Sequence, residues 1–271
     1  MKFLLLFTLV LLSSCAKKKD DVRVASPQKS FESSVNYFSS TKRLTIEVAY
    51  ESGHAPYTDT KITLSNGSPS PLWNILEENL NALYLGRNPF PIVVVPKSLS
   101  EMDELPVQGK SSWTVADLLA LAKEHRNGAS TETQSYFWVV FLGGHFNDGK
   151  DDQKSMVGVS LGGTTILAIF KDVVRETGVV EGLVQRYVEQ ATLVHELGHA
   201  LGLVNNGLPM HAEHQDPEHG LHCKNPDCVM YWLNEGRADL VGFVGKMIRD
   251  GHVIMFDQQC LDDARKFSPK K

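Results

Sequence analysis

Residues 183–203 read LVQRYVEQATLVHELGHALGL, a run with no proline. Val184, Val188, Ala191 and His195 fall along one face at helical spacing, while Gln185, Arg186 and Glu189 form a polar strip. The pattern predicts a helix from Glu181 to Leu203 whose apolar content rises towards its C-terminal end, so that end is expected in the core. The last two turns hold His195-Glu196-Leu197-Gly198-His199-Ala200-Leu201-Gly202, which is H-E-x-x-H-x-x-G. Residues four apart stand one turn apart on the same face, so both imidazoles can reach a single zinc ion. Glu196 lies beside them and can take a proton from a water activated by that metal. Gly202 lets the chain leave the helix and turn back under the metal. The pattern implies metal-assisted hydrolysis, most often of a peptide bond. The competing reading, two histidines packed in a buried helix, does not account for the added glycine or for the residues downstream of it.

The rest of the composition is that of a globular protein. With 271 residues and 42% hydrophobic content the chain has ample material for one substantial core. A formal net charge of −5, with no long basic run in the mature region, argues against a nucleic-acid partner. At the N-terminus Lys2 precedes an apolar run from Phe3 to Leu12, followed by Ser13-Ser14-Cys15. Residues 1–14 therefore read as a secretory signal, too short to span a bilayer as a stable helix. Leu12-Ser13-Ser14-Cys15 resembles a bacterial lipobox, which implies cleavage before Cys15 and lipid on its sulfur. Ala16 in the next position resembles an outer-membrane address. The expected location is exported, on the cell membrane or outer membrane. Residues 15–42, rich in Lys, Ser and Asp, read as a lipidated flexible tether, and 43–270 as one catalytic unit.

Along that unit Leu44–Tyr50 alternates like a strand, Pro71–Tyr84 reads as an amphipathic helix, and Ile92–Val95 is a short apolar strand. Thr114–His125 is a capped helix ended by Asn127-Gly128, and Tyr136–Leu142 is a buried strand. Gly143–Gly149 is a loop, and Met156–Leu161 with Thr165–Phe170 form a strand pair around Gly162-Gly163. The fold class is α+β: a mixed β-sheet with helices, then the long active-site helix, then a smaller irregular C-terminal half. No internal repeat is visible.

A catalytic zinc takes three protein ligands and keeps one position open. Beyond Gly202 the chain reads LVNNGLPMHAEHQDPEHGLHCKNPDCVMYW, residues 203–232. With His195, Glu196, His199, Gly202 and then Met230, this resembles a metzincin metalloprotease. His222-Cys223-x4-Cys228-x-Met230 is similar to the archaemetzincin pattern, where the third histidine directly precedes a C-x4-C-x-M segment. The resemblance implies a metzincin-like fold, zinc as cofactor, His222 as third ligand and Met230 as a methionine turn beneath the metal. It covers residues 195–232 and departs from the family in one place: Asn205 stands where the third histidine is expected. The simplest reading is an insertion, Leu203–Leu221, that loops out and returns His222. His214 is the alternative third ligand, with His219, His211, Asp216 and Asn205 also open. In the family four cysteines hold a structural zinc, and here Asp257 and Cys260 stand at the last pair. A site of Cys223, Cys228, Cys260 and Asp257 is one expectation, and a Cys223–Cys228 disulfide, suited to an oxidising compartment, is the preferred one.

The function expected is a zinc metalloendopeptidase at the cell envelope, monomeric, acting on a peptide or protein substrate. Strand Val157–Leu161 would bind substrate by β-addition. Two other readings stand beside it: a non-catalytic, lipid-anchored zinc-binding protein using its His-rich loop, and a lipoprotein whose metal only holds the fold. Mass spectrometry of the mature N-terminus should find an acylated Cys15 and partitioning into detergent. A water-soluble product cut elsewhere, with Cys15 unmodified, would refute the lipobox reading.

Overall fold

The computed structural model describes residues 34–63, 67–178 and 182–270. The signal segment, Cys15, most of the tether and Glu181 lie outside the described residues. The chain runs α1 (Ser34–Ser39), β1 (Arg43–Glu51), β2 (Lys61–Thr63), β3 (Pro69–Pro71), α2 (Asn74–Leu83), β4 (Ile92–Val94) and β5 (Asp103–Leu105). It continues with β6 (Ser112–Trp113), α3 (Val115–His125), β7 (Gln134–Leu142), β8 (His145–Asn147), β9 (Asp152–Gln153), β10 (Gly158–Ser160) and β11 (Ile166–Phe170). The last helices are α4 (Lys171–Arg175), α5 (Leu183–Leu201), α6 (Arg237–Asp250) and α7 (Gln258–Lys266).

The protein is mixed α+β. Its main sheet has the order β10-β11-β7-β1-β4, with β5 also on β1. β7 lies at the centre, parallel to β1 and β11, and from Phe137 to Leu142 every residue is buried. An unbroken run of bulky apolar residues is what a strand covered on both faces requires. β10 alone runs antiparallel, at the sheet edge beside β11. Thr114 and Asp117 cap α3 reciprocally, with Thr114 N donating to Asp117 Oδ2 at 2.9 Å. Among the described residues no helix is long and apolar enough to cross a membrane.

α5 packs against β10 and β11 and against α6. From Tyr187 to Gly198 all its residues are buried. The polar strip expected at Gln185, Arg186 and Glu189 is therefore only partly solvent-facing: Gln185 and Glu189 are buried. Glu189 pairs with Lys171, and both side chains are out of solvent at 0% and 1% exposure. Its other oxygen accepts from Tyr57 N at 2.8 Å, and Lys171 Nζ lies 3.5 Å from the centre of the Tyr57 ring.

Three readings of the sequence need correction. The tether does not extend to residue 42, because α1 buries Tyr37 and Phe38 and Tyr84 Oη donates to Tyr37 O at 2.9 Å. The helix expected from Pro71 starts at Asn74, since Pro69–Pro71 pairs with Lys61–Thr63 as a strand. The C-terminal half is irregular from residue 203 to residue 231, as expected, but beyond that it carries two helices that the sequence reading missed, α6 and α7. Gly242 and Gly245 weaken the intrinsic helix signal of α6, and burial of Leu240, Phe243, Val244 and Met247 overrides it.

Glu189→Ala leaves Lys171 charged and buried, and should cost about 3–5 kcal/mol in urea unfolding. The double replacement Lys171→Met with Glu189→Leu should recover most of that loss. A loss below about 1 kcal/mol in the single variant would contradict a buried, paired charge.

Candidate metal centre

The C-terminal end of α5 is built as a stop. Gly202 adopts φ 89°, and Gly202 N and Leu203 N donate to His199 O and Gly198 O, both at 3.0 Å. These are the paired bonds of a Schellman cap, which only a left-handed residue permits without strain. Val204 and Asn205 continue at φ 52° and 61°, so the chain reverses at once. A β-branched residue in that region is strained, and here Val204 is held there by complete burial. Asn205 is exposed after the reversal, and its side chain donates to Gln215 Oε1.

The insertion Leu203–Leu221 folds back on the segment after it. Asp216 N donates to His222 O at 2.7 Å, Lys224 N donates to His214 O at 2.9 Å, and Gln215 bridges Cys223. This pairing delivers His222 to α5. His199 Nε2 lies 3.1 Å from His195 Nε2 and 3.2 Å from His222 Nε2. Three ligands at zinc–nitrogen distances of about 2.05 Å in a tetrahedron stand about 3.3 Å apart. The tautomers fit too. His195 Nδ1 bonds Val229 O and His222 Nδ1 bonds His219 O, each at 2.7 Å. A carbonyl only accepts, so each Nδ1 carries the proton and each Nε2 turns a lone pair inward. In their neutral forms, nitrogens converging this closely fit a cation.

Glu235 Oε1 lies 3.0 Å from His222 Nε2, and the ligand atoms of His195, His199, His222 and Glu235 are all within 4.8 Å of one another. Burial, then the neighbouring His222, pulls the His195 pKa down to about 4, and burial with the other two imidazoles holds His199 well below its usual value. Burial opposes the charge on His222, but the Glu235 carboxylate, the His219 carbonyl and Glu196 together outweigh it and the pKa rises. Glu196 is pushed up to about 8, first by burial and then by Glu235, against the opposing pull of His222 and a hydrogen bond from the Ser160 backbone. Its side chain lies on β10: a Cβ added at Gly158 would stand 2.6 Å from Thr192 Cγ2 and 3.1 Å from Glu196 Cγ. Glycine at 158 is what lets α5 approach the edge strand.

Met230 is buried under the same helix, and a Cβ at Gly198 would stand 2.4 Å from its sulfur. The turn carrying Met230 is tied by Asn234 Nδ2, which donates to Cys228 O and Val229 O at 3.0 and 3.1 Å.

A second group lies on the far side of that turn. Cys223, Cys228, Cys260 and Asp257 bring their ligand atoms within 4.8 Å of one another. The expected Cys223–Cys228 disulfide is absent: all three thiols are free. Cys228 Sγ lies 3.5 Å from Cys260 Sγ, and backbone N–H groups of Asn225 and Asp257 donate to Cys223 and Cys228. The thiols point at a shared centre that includes α7, and a bond of about 2.05 Å between any two would withdraw them from it. His214 belongs here rather than with His195 and His199. It is fully buried, with Nε2 2.7 Å from Asp263 Oδ2 and Nδ1 3.4 Å from Cys223 Sγ. His211 is exposed, and His219 bonds Asp216.

Among the described residues, two groups of side chains can thus hold a metal ion. Sequence reasoning missed Glu235 and Asp263, since no motif marks either. No protein family, curated protein or solved structure matches the chain.

Zinc content after dialysis against a weak chelator separates the two groups. His195→Ala and His222→Ala should each weaken binding at the first by at least about tenfold. His214→Ala should leave the first group loaded. The reverse result would mean that the insertion, not the segment after it, supplies the third nitrogen.

Proposed function

We propose that this protein is a metzincin-like zinc peptidase that hydrolyses peptide bonds at the cell envelope. The observation that carries the reading is the convergence of three imidazole Nε2 atoms beside a buried carboxylate, next to a strand edge. His195, His199 and His222 would hold the metal. Zinc bound there supplies a Lewis acid that polarises a carbonyl and brings the pKa of water towards neutrality. Glu196, facing β10 and hydrogen-bonded by Ser160, is the base that takes a proton from water and the acid that returns it to the leaving amine. A carboxylate whose pKa is raised by burial holds that proton between the two steps. Among the described residues, β10 pairs within the sheet only with β11, so its outer edge can accept an extended peptide as an added strand. Met230 shapes the floor without ligating. The second group would hold a structural zinc through Cys223, Cys228, Cys260 and Asp257, fastening α7 to the methionine turn. Lipid on Cys15 would keep the domain at the membrane, with peptide or protein chains within reach of the tether.

A second reading, a non-catalytic zinc-binding lipoprotein, draws support from Glu235. Four protein donors are the mark of a structural zinc. Glu196 weighs against it, because binding metal does not call for a further buried carboxylate, which costs desolvation.

Glu196→Gln should retain zinc and lose hydrolysis of a peptide library by about 10²–10⁴-fold, since the amide cannot accept the proton. Equal cleavage by purified wild type and Glu196→Gln would defeat the peptidase reading.

A further inference from the structure

We propose that Glu235 is a displaceable carboxylate latch on the metal centre: it takes the fourth position, and an arriving peptide drives it off. The proposal rests on the reading that His195, His199 and His222 hold a metal ion.

Glu235 stands at a ligand's distance. Its Oε1 lies 3.0 Å from His222 Nε2, and the neighbouring Nε2 separations are 3.1 and 3.2 Å. The carboxylate oxygen thus lies from its neighbour as a fourth ligand would, all four donors falling within 4.8 Å. The four donors differ in exposure. His195 and His222 are buried, whereas the Glu235 side chain is 45% exposed. The histidines are fixed by the core, and the carboxylate faces water on a short 3-10 turn, Trp232–Glu235. A ligand on such a turn can leave without unfolding the helix that holds the others.

The turn is fastened at both ends. Gly236, the residue after Glu235, forms an antiparallel bridge with Met156, just ahead of β10. A peptide adding to the outer edge of β10 and extending towards Met156 competes for the backbone groups now engaged by Gly236. The other end is clamped by the insertion: His219 stacks on Trp232 with centroids 3.8 Å apart and planes 2° apart. The same His219 presents the carbonyl that holds His222 Nδ1 and is itself bonded to Asp216. Opening the turn on the strand side therefore removes the carboxylate while the insertion keeps His222 in place. The latch blocks the metal until a chain lies along the edge strand, which excludes small molecules that cannot pair with β10.

The test uses the mature full-length protein loaded with Co²⁺ as the sole metal, with His195→Ala as the blank for the cysteine group. Wild type, Glu235→Ala and Glu235→Gln are compared by visible absorption, by chelator competition and by titration with acetohydroxamate. Circular dichroism checks that each variant is folded. In Glu235→Ala the spectrum should change, cobalt should bind about tenfold more weakly, and acetohydroxamate should bind at least about tenfold more tightly. Glu235→Gln should give the same shifts in spectrum and hydroxamate affinity. Identical spectra and titrations in wild type and both variants would overturn the latch and leave the histidine centre standing. Failure of wild type to take up cobalt beyond the blank would overturn the metal reading itself, and the latch with it.

Discussion

α5 is buried without a break from Tyr187 to Gly198, so each ionisable group on that stretch has to find its partner inside the protein. That constraint organises the rest. Glu189 is met by Lys171 and the Tyr57 amide, which fixes the segment after β1 against the helix. His195 is met by the Val229 carbonyl, which ties the helix to the turn that carries Met230. Glu196 is met by the Ser160 backbone on the edge strand. Each bond satisfies a buried polar group, and each also places a piece of the candidate site. The net energy of any one is about 1–3 kcal/mol, but leaving its partner unpaired at this depth costs the full desolvation.

The His-rich insertion is divided among three tasks. His214 goes to Asp263 and Cys223 at the second group, and His219 goes to the Trp232 ring. The strand-like pairing of Gln215 with Cys223 then sets His222 against α5. The two candidate metal groups share this hairpin: His222 and Cys223 are adjacent in sequence and face opposite centres. Loss of order at one group would be felt at the other through a single peptide unit.

Much of the scaffold was legible because its signals are local. The apolar run of β7, the alternation of β1, the capping box of α3 and the helical spacing of α5 depend on geometry within a few residues. The readings that failed were those where packing overrode a local signal. Tyr37 and Phe38 look like part of a polar tether until α2 and the sheet cover them. Glu189 looks like a surface strip until the sheet and the neighbouring segments close around it. The Cys223–Cys228 pairing was plausible by spacing, but Cys260 and Asp257, brought by α7, draw the thiols to a common point.

The sequence by itself determined the helix, the H-E-x-x-H spacing and the glycine stop, because one turn of helix sets two imidazoles on one face whatever surrounds them. Only the tertiary structure decided which histidine joins them, where Glu235 falls and which groups share the second centre. Those choices depend on how a long loop pairs with the strand after it and on which helices cover α5. Contacts of that kind are made between residues far apart in the chain, where spacing carries no information about distance.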